Sequence, residues 1–296
     1  MPQHFVAPPQ WEWYIVWYFF FGGIAGGTYV LGALLRFFGS ARDEGAARLA
    51  FLISFPTMLI CPILLTLDLG KPFRFWHMLI DSRTFGLNFK YWSPMSLGAW
   101  ALLIFGVCSA VSFIEVLALD GAVRHPFARR IARVLSGGLG RLVMIVGALF
   151  GLFLAGYTGV LLSVSNQPVW SDTWAVGALF LASGLSVAAA VMVLLGGLRS
   201  DAHPAEQKLS RADLFFIVLE LALLVVFFLT LGAIGWKLLA GRWLLLWALV
   251  LVGTLVPLFL RATRDAGRVG SPVLASFLVL LGGLALRMVI VFGAQM

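Results

Sequence analysis

Between Trp13 and Phe38 the chain reads WYIVWYFFFGGIAGGTYVLGALLRFF, an apolar run whose sole charge is Arg36. A helix needs about 20 mainly apolar residues to cross the hydrocarbon core of a bilayer. This run exceeds that length. It is also too long for the apolar core of a signal peptide, which covers about 7–15 residues behind a basic segment, and Met1 to Gln10 contain no Lys or Arg. The run is therefore expected to remain as a spanning helix. Applied outward, the same template finds seven more spans, roughly Leu49 to Leu67, Trp92 to Ala118, Gly138 to Ser163, Thr173 to Leu198, Ala212 to Trp236, Trp243 to Leu260, and Val273 to Gly293. Trp13, Trp92, Trp174, Trp236 and Trp243 stand at span ends, where amphipathic rings favour the lipid–water interface. The expected fold is all-α and polytopic, with about eight transmembrane helices and no soluble domain between them.

Composition agrees. The 296 residues are 61% hydrophobic and 11% charged, against about 45–50% apolar and about 25% charged in soluble domains. That excludes a water-soluble enzyme and a disordered chain. The net charge of +8 reflects basic loops facing anionic lipid rather than a nucleic-acid partner. Of the 21 Lys and Arg, 14 lie at or after the inner ends of spans one, three, five and seven, and six on the other side. The positive-inside rule then puts both termini outside. It also puts the Asp68 to Tyr91 loop, the start of span one with Tyr14, Trp17 and Tyr18, the end of span four with Tyr157, Thr158 and Ser163, and Arg287 in the outer half.

Within span one, Gly22 with Gly26 and Gly23 with Gly27 form two overlapping GxxxG pairs. Such pairs admit a neighbouring backbone, or a flat ligand, at close range. Span two ends in LTLDLGKPFRFWHML, where Asp68 sits at the edge of the apolar core with Lys71, Arg74 and His77 close behind. One carboxylate and two bases on a turn at the membrane surface form either a charged cap or a site that binds an anion or exchanges protons with a lipid-soluble ligand. Glu220 and Arg287 lie inside spans, where an ionisable group requires a partner or a function. Glu115 and Asp213 lie nearer inner helix ends, where capping or snorkelling would account for them. Glu115, Glu220 and Arg287 are the candidates for a proton path.

Other chemistry is missing. Transmembrane haem needs axial ligands inside helices, whereas His4, His77, His125 and His203 lie in loops or tails. An iron–sulfur cluster needs about four cysteines; Cys61 and Cys108 are alone, have no metal-ligand spacing, and read as packing residues. The chain is expected to carry no metal, no iron–sulfur cluster and no haem of its own. A redox role would need an organic carrier such as a quinone and an electron-carrying partner.

The segments FFFGGIAGGTYVLG, LDLGKPFRFW (Leu67 to Trp76) and WSPMSLGAW (Trp92 to Trp100) resemble the NrfD-type family, the integral membrane subunits of polysulfide-reductase-like molybdopterin oxidoreductases. Gly156-Tyr157-Thr158-Gly159, Pro168-Val169-Trp170 and GGLALRMVIVFGAQ (Gly282 to Gln295) extend the match almost end to end. The resemblance implies two four-helix bundles, residues 1–165 and 166–296, without haem. It implies a site for menaquinone or ubiquinone towards the outer face, in the first bundle. It further implies a ferredoxin-like four-cluster iron–sulfur partner and a molybdenum or tungsten catalytic subunit, in the inner membrane of a prokaryote. Asp68 matches the family's aspartate and Tyr157 its fourth-helix tyrosine. The expected site is Asp68 and Tyr157 at the chemistry, with Tyr18, Gly22, Gly23, Gly26, Gly27, Lys71, Arg74 and His77 around the ring. On physics alone, a secondary transporter or channel, and a structural anchor without quinone, are the competing readings.

Overall fold

The computed structural model describes residues 10–199, 201–239, 241–265 and 271–295; His4 and the loop at 266–270 lie outside them. These residues are helical, apart from connecting turns and an isolated antiparallel bridge between Ile80 and Leu87. Among the described residues, eight helices are long and apolar enough to cross a membrane. They are α1 (Trp13–Phe38), α2 (Glu44–Asp68), α3 (Pro94–Leu119), α5 (Gly138–Ser163), α6 (Ala175–Gly196), α7 (Glu206–Leu231), α9 (Trp243–Asp265) and α10 (Pro272–Gly293). Two short helices, α4 (Pro126–Leu135) and α8 (Gly235–Leu238), sit in connections.

Spans two and six start earlier than the apolar template expects, at Glu44 and Glu206. Charged first turns remain helical where side chains satisfy them. Ser40 and Asp43 form a capping box before α2, a reciprocal arrangement that supplies partners for otherwise orphaned backbone donors. Span six ends earlier than expected, because Gly232 adopts φ +55 and Trp236 falls in α8. Apolar length does not anticipate α4, which is too short and too basic to register as a span. Ser93 and Ser271 accept from backbone N–H groups at the starts of α3 and α10, each followed by Pro at the first helical position, where a missing N–H costs nothing.

The two chain ends meet at one end of the fold. Gln295 accepts from the Trp11 N–H at 2.7 Å and donates back to the Trp11 carbonyl at 3.2 Å. Trp170 stacks on Trp11 at 4.9 Å and donates to the Ile290 carbonyl at 2.8 Å. This terminal end also carries the end of α2, the start of α3 and the segment between them. At the opposite end Arg36 bonds Glu44 and Glu115, both at 3.0 Å, and Arg48 bonds Glu44 at 3.1 Å and Asp120 at 3.0 Å. Arg199 continues the network to Asp120 and Asp201, so α1, α2, α3 and the segment after α6 are held together there. Arg199 holds the Asp201 carboxyl below its usual range by hydrogen bonding to it.

Helices α1 and α6 are the most enclosed. They meet through small residues: a Cβ on Gly23 would lie 3.2 Å from the Gly184 Cα, and one on Gly27 2.6 Å from the Ala188 Cβ. On another side of α1, Gly26 lies against the Gly151 carbonyl of α5. Close backbone approach replaces the hydrophobic drive that lipid cannot provide. Helices α1, α2, α3 and α5 pack in a ring, as do α6, α7, α9 and α10, and α1 and α5 both contact α6. Exposed Leu142, Leu149, Val225, Leu229, Leu255 and Phe259 give the helix surfaces the apolar cover that hydrocarbon requires.

Candidate functional site

Asp68 is the last residue of α2 and is exposed. Leu59, Ile63 and Leu67 precede it and are also exposed; residues four apart share a helix face, so they form an apolar stripe up the outside of α2 that ends beside the carboxylate. Glu12, ahead of α1, is the charged neighbour of Asp68. Lys71 and Arg74 form no ion pair with it, because helix geometry ends at Asp68 and the chain turns away through Leu69 and Gly70 into a 3-10 turn at Pro72–Met78. The three charges that are adjacent in sequence are thus not one cluster.

Arg74 and His77 instead line a cavity of about 550 Å³ with Ile80, Asp81, Ser82, Asn88 and Lys90. The His77 ring lies 3.8 Å from that of Trp76, and its Nδ1 is 3.2 Å from the Arg74 carbonyl. Asn88, which also lines the cavity, donates to the His77 carbonyl at 2.8 Å.

Tyr18 and Gly22 face the interior near Cys61. The Tyr18 hydroxyl makes no hydrogen bond to another described residue. The space beside Gly23, Gly26 and Gly27 is filled by Arg287, Gly184, Gly151 and Ala188. Of the two readings of the glycine pairs, close helix approach is what occupies these three positions. Gly22 has only ordinary contacts, with Cys61 Sγ at 3.9 Å and Leu154 Cγ at 4.0 Å. Tyr157 is buried, stacks on Phe153 at 5.1 Å, lies against Gly98, and donates its hydroxyl proton to the Pro94 carbonyl.

Farther in, Glu220 is 2% exposed and Arg287 1%. Arg287 donates to the Phe19 carbonyl at 3.1 Å, the Gly283 carbonyl at 2.7 Å and Ser183 at 3.2 Å, between the rings of Phe20 and Phe180. Ser183 and Arg287 are the polar neighbours of Glu220, yet its Oε1 has no hydrogen-bond partner among the described residues. Asp213 is fully buried rather than snorkelling at a helix end: it pairs with Arg261 and accepts from Ser186 at 2.6 Å. Arg261 also donates to Ser210 and Ser276, each at 3.1 Å. Sequence reading missed Arg261 and the serines, although Asp213 and Glu220, seven residues apart, already shared a face of α7. Glu115 is engaged by Arg36 in the opposite-end network, far from that line. No group of three or more His, Cys, Asp and Glu that could hold a metal occurs among the described residues.

The family profile described as "Polysulphide reductase, NrfD" matches residues 2–296. The chain belongs to the NrfD family. Among relatives of this NrfD-family chain, "Protein NrfD" of Escherichia coli strain K12 is 27% identical, covering 97% of this chain and 95% of its own length. The C chain of the polysulfide reductase of Wolinella succinogenes is 26% identical over 63% of this chain and 58% of its own. The C subunit of the selenate reductase of Mesobacillus selenatarsenatis is 23% identical over 74% and 56% respectively. Family membership and eight apolar helices make this a multi-pass membrane protein of the NrfD type.

Proposed function

We propose that this chain is the membrane anchor and quinone-reactive subunit of a respiratory oxidoreductase in a prokaryotic inner membrane. In this reading it exchanges electrons between the quinone pool and a docked four-cluster iron–sulfur subunit that serves a molybdopterin catalytic subunit. Relatives named as subunits of polysulfide and selenate reductases support a multi-subunit setting. The carrying observation is the exposed Asp68 carboxylate at the top of the Leu59–Ile63–Leu67 stripe. An isoprenoid-tailed ring travelling in lipid can follow that stripe and reach an acid–base group at the interface.

Reduction of a quinone consumes two electrons and two protons, and oxidation of the quinol releases them. Asp68 gives or takes a proton at a ring oxygen. Tyr157 has its proton committed to Pro94, so it positions the start of α3 instead of bonding the ring. Tyr18 and Gly22 lie inside the first ring of helices, towards this end of α1. Arg74 and His77 belong to the neighbouring loop cavity. Asp68→Asn should leave the complex assembled and lower quinone turnover by about a hundredfold or more, the range of general acid–base effects; unchanged turnover in membranes would remove Asp68 from the mechanism.

A second component concerns protons. Asp213, Ser186, Ser183, Glu220 and Arg287 follow one another from the opposite half towards the terminal half, with about 10 Å of rise between Asp213 and Glu220 at 1.5 Å per residue. An unpartnered oxygen on Glu220 is costly in this setting unless the group is protonated or functional. We read this line as a proton path. Glu220→Gln should abolish proton uptake in sealed vesicles while electron transfer to quinone continues, and undiminished uptake would reject the path.

A further inference from the structure

The loop between α2 and α3 is a built hairpin. The Asp81 N–H donates to the Gly86 carbonyl at 2.9 Å and the Asn88 N–H to the Leu79 carbonyl at 2.8 Å. Asp81 also accepts from the Arg83 N–H at 2.8 Å, so its carboxylate serves the turn. Ser96 and Trp100 of α3 tie down Asn88 and Lys90. The resulting open cavity, about 550 Å³, is lined by Arg74, Lys90, His77, Ser82 and Asn88 besides Ile80 and Asp81.

Two features distinguish this cavity from an ordinary charged surface. Neither the Arg74 guanidinium nor the Lys90 ammonium has a hydrogen bond or an ion pair to a described residue, and together they outweigh Asp81. Cations so arranged, with hydroxyl and amide donors beside them, suit a multiply accepting anion such as phosphate. The same connection, in contrast, carries exposed apolar side chains: Phe73 is 93% exposed, and Phe75, Phe85, Phe89, Tyr91 and Trp92 are exposed as well. Exposed aromatic residues at span ends belong in the headgroup zone.

We infer that the Arg74–Lys90 cavity binds a phosphate group, supplied by the headgroup of an anionic phospholipid whose acyl chains lie against the exposed aromatic residues of this connection. The site is independent of the quinone reading: Asp68 does not line it, and lipid binding requires no electron transfer. It would fix the hairpin at the bilayer surface beside the end of α2.

The test is hydrogen–deuterium exchange of the full chain in nanodiscs. Slower exchange of residues 77–90 is expected in phosphatidylglycerol and not in phosphatidylcholine. Arg74→Gln/Lys90→Gln should abolish that protection, Arg74→Lys should keep it, and Arg129→Gln/Arg130→Gln/Arg133→Gln on α4 should not affect it. Equal protection in both lipids, or protection undiminished in the double variant, would overturn the proposal. Protection by added inorganic phosphate in phosphatidylcholine discs would uphold the anion site and overturn lipid as its source.

Discussion

Asp68 and Tyr157 begin as two residues matched to one family pattern, and the structure separates what each can do. The Asp68 carboxylate is exposed and pairs with no described residue, whereas the only proton of Tyr157 is held by the Pro94 carbonyl. A phenol has one donor, so Tyr157 can donate to a ring oxygen only by giving up its bond to Pro94. Tyr157→Phe is therefore expected to lower stability in detergent by about 0.5–1.5 kcal/mol, the net worth of a typical hydrogen bond, and to leave quinone turnover within a few-fold of the parent. A hundredfold loss of turnover with unchanged stability would move the chemistry from Asp68 to Tyr157. The carboxylate at the span edge was legible from its position in an apolar chain. That Lys71 and Arg74 do not pair with it was not, because the spacing of charges says nothing of the direction in which Gly70 and Pro72 send the chain.

At the scale of elements, eight spans follow from apolar length alone, and their ends go astray where physics other than hydropathy decides. The capping box at Ser40 and Asp43 carries α2 back to Glu44. Gly232, with its positive φ, stops α7. The glycines of α1 show a similar split between pattern and partner. GxxxG spacing announces a close approach, but not that Gly26 faces α5 while Gly23 and Gly27 face α6. Gly26→Ala places a Cβ into the Gly151 carbonyl, and overpacking of that kind costs about 1–3 kcal/mol. Gly22→Ala meets nothing nearer than 3.9 Å and should be tolerated. Thermal unfolding of the two variants in the same detergent should separate them, and equal stability would contradict the assigned packing.

For the whole molecule, two rings of four helices joined through α1, α5 and α6 suit a division near residue 165, which we propose as two bundles. The polar line on α6, α7, α9 and α10 then belongs to the second bundle and Asp68 to the first. Individual buried charges were visible in the sequence. Their partners were not, since Arg261 and Asp213 are brought together only by the packing of α9 on α7. Both chain ends share one end of the fold, and the excess of Lys and Arg at the opposite end argues for placing the terminal end, with Asp68, outside. A quinone-reactive role within a redox complex is tested most directly by extracting the protein from its native membrane in mild detergent. Everything that remains bound is then identified by mass spectrometry. The expected result is a retained quinone together with a cysteine-rich iron–sulfur subunit and a molybdopterin subunit. A stable, solitary protein without quinone would contradict that role and favour a transporter.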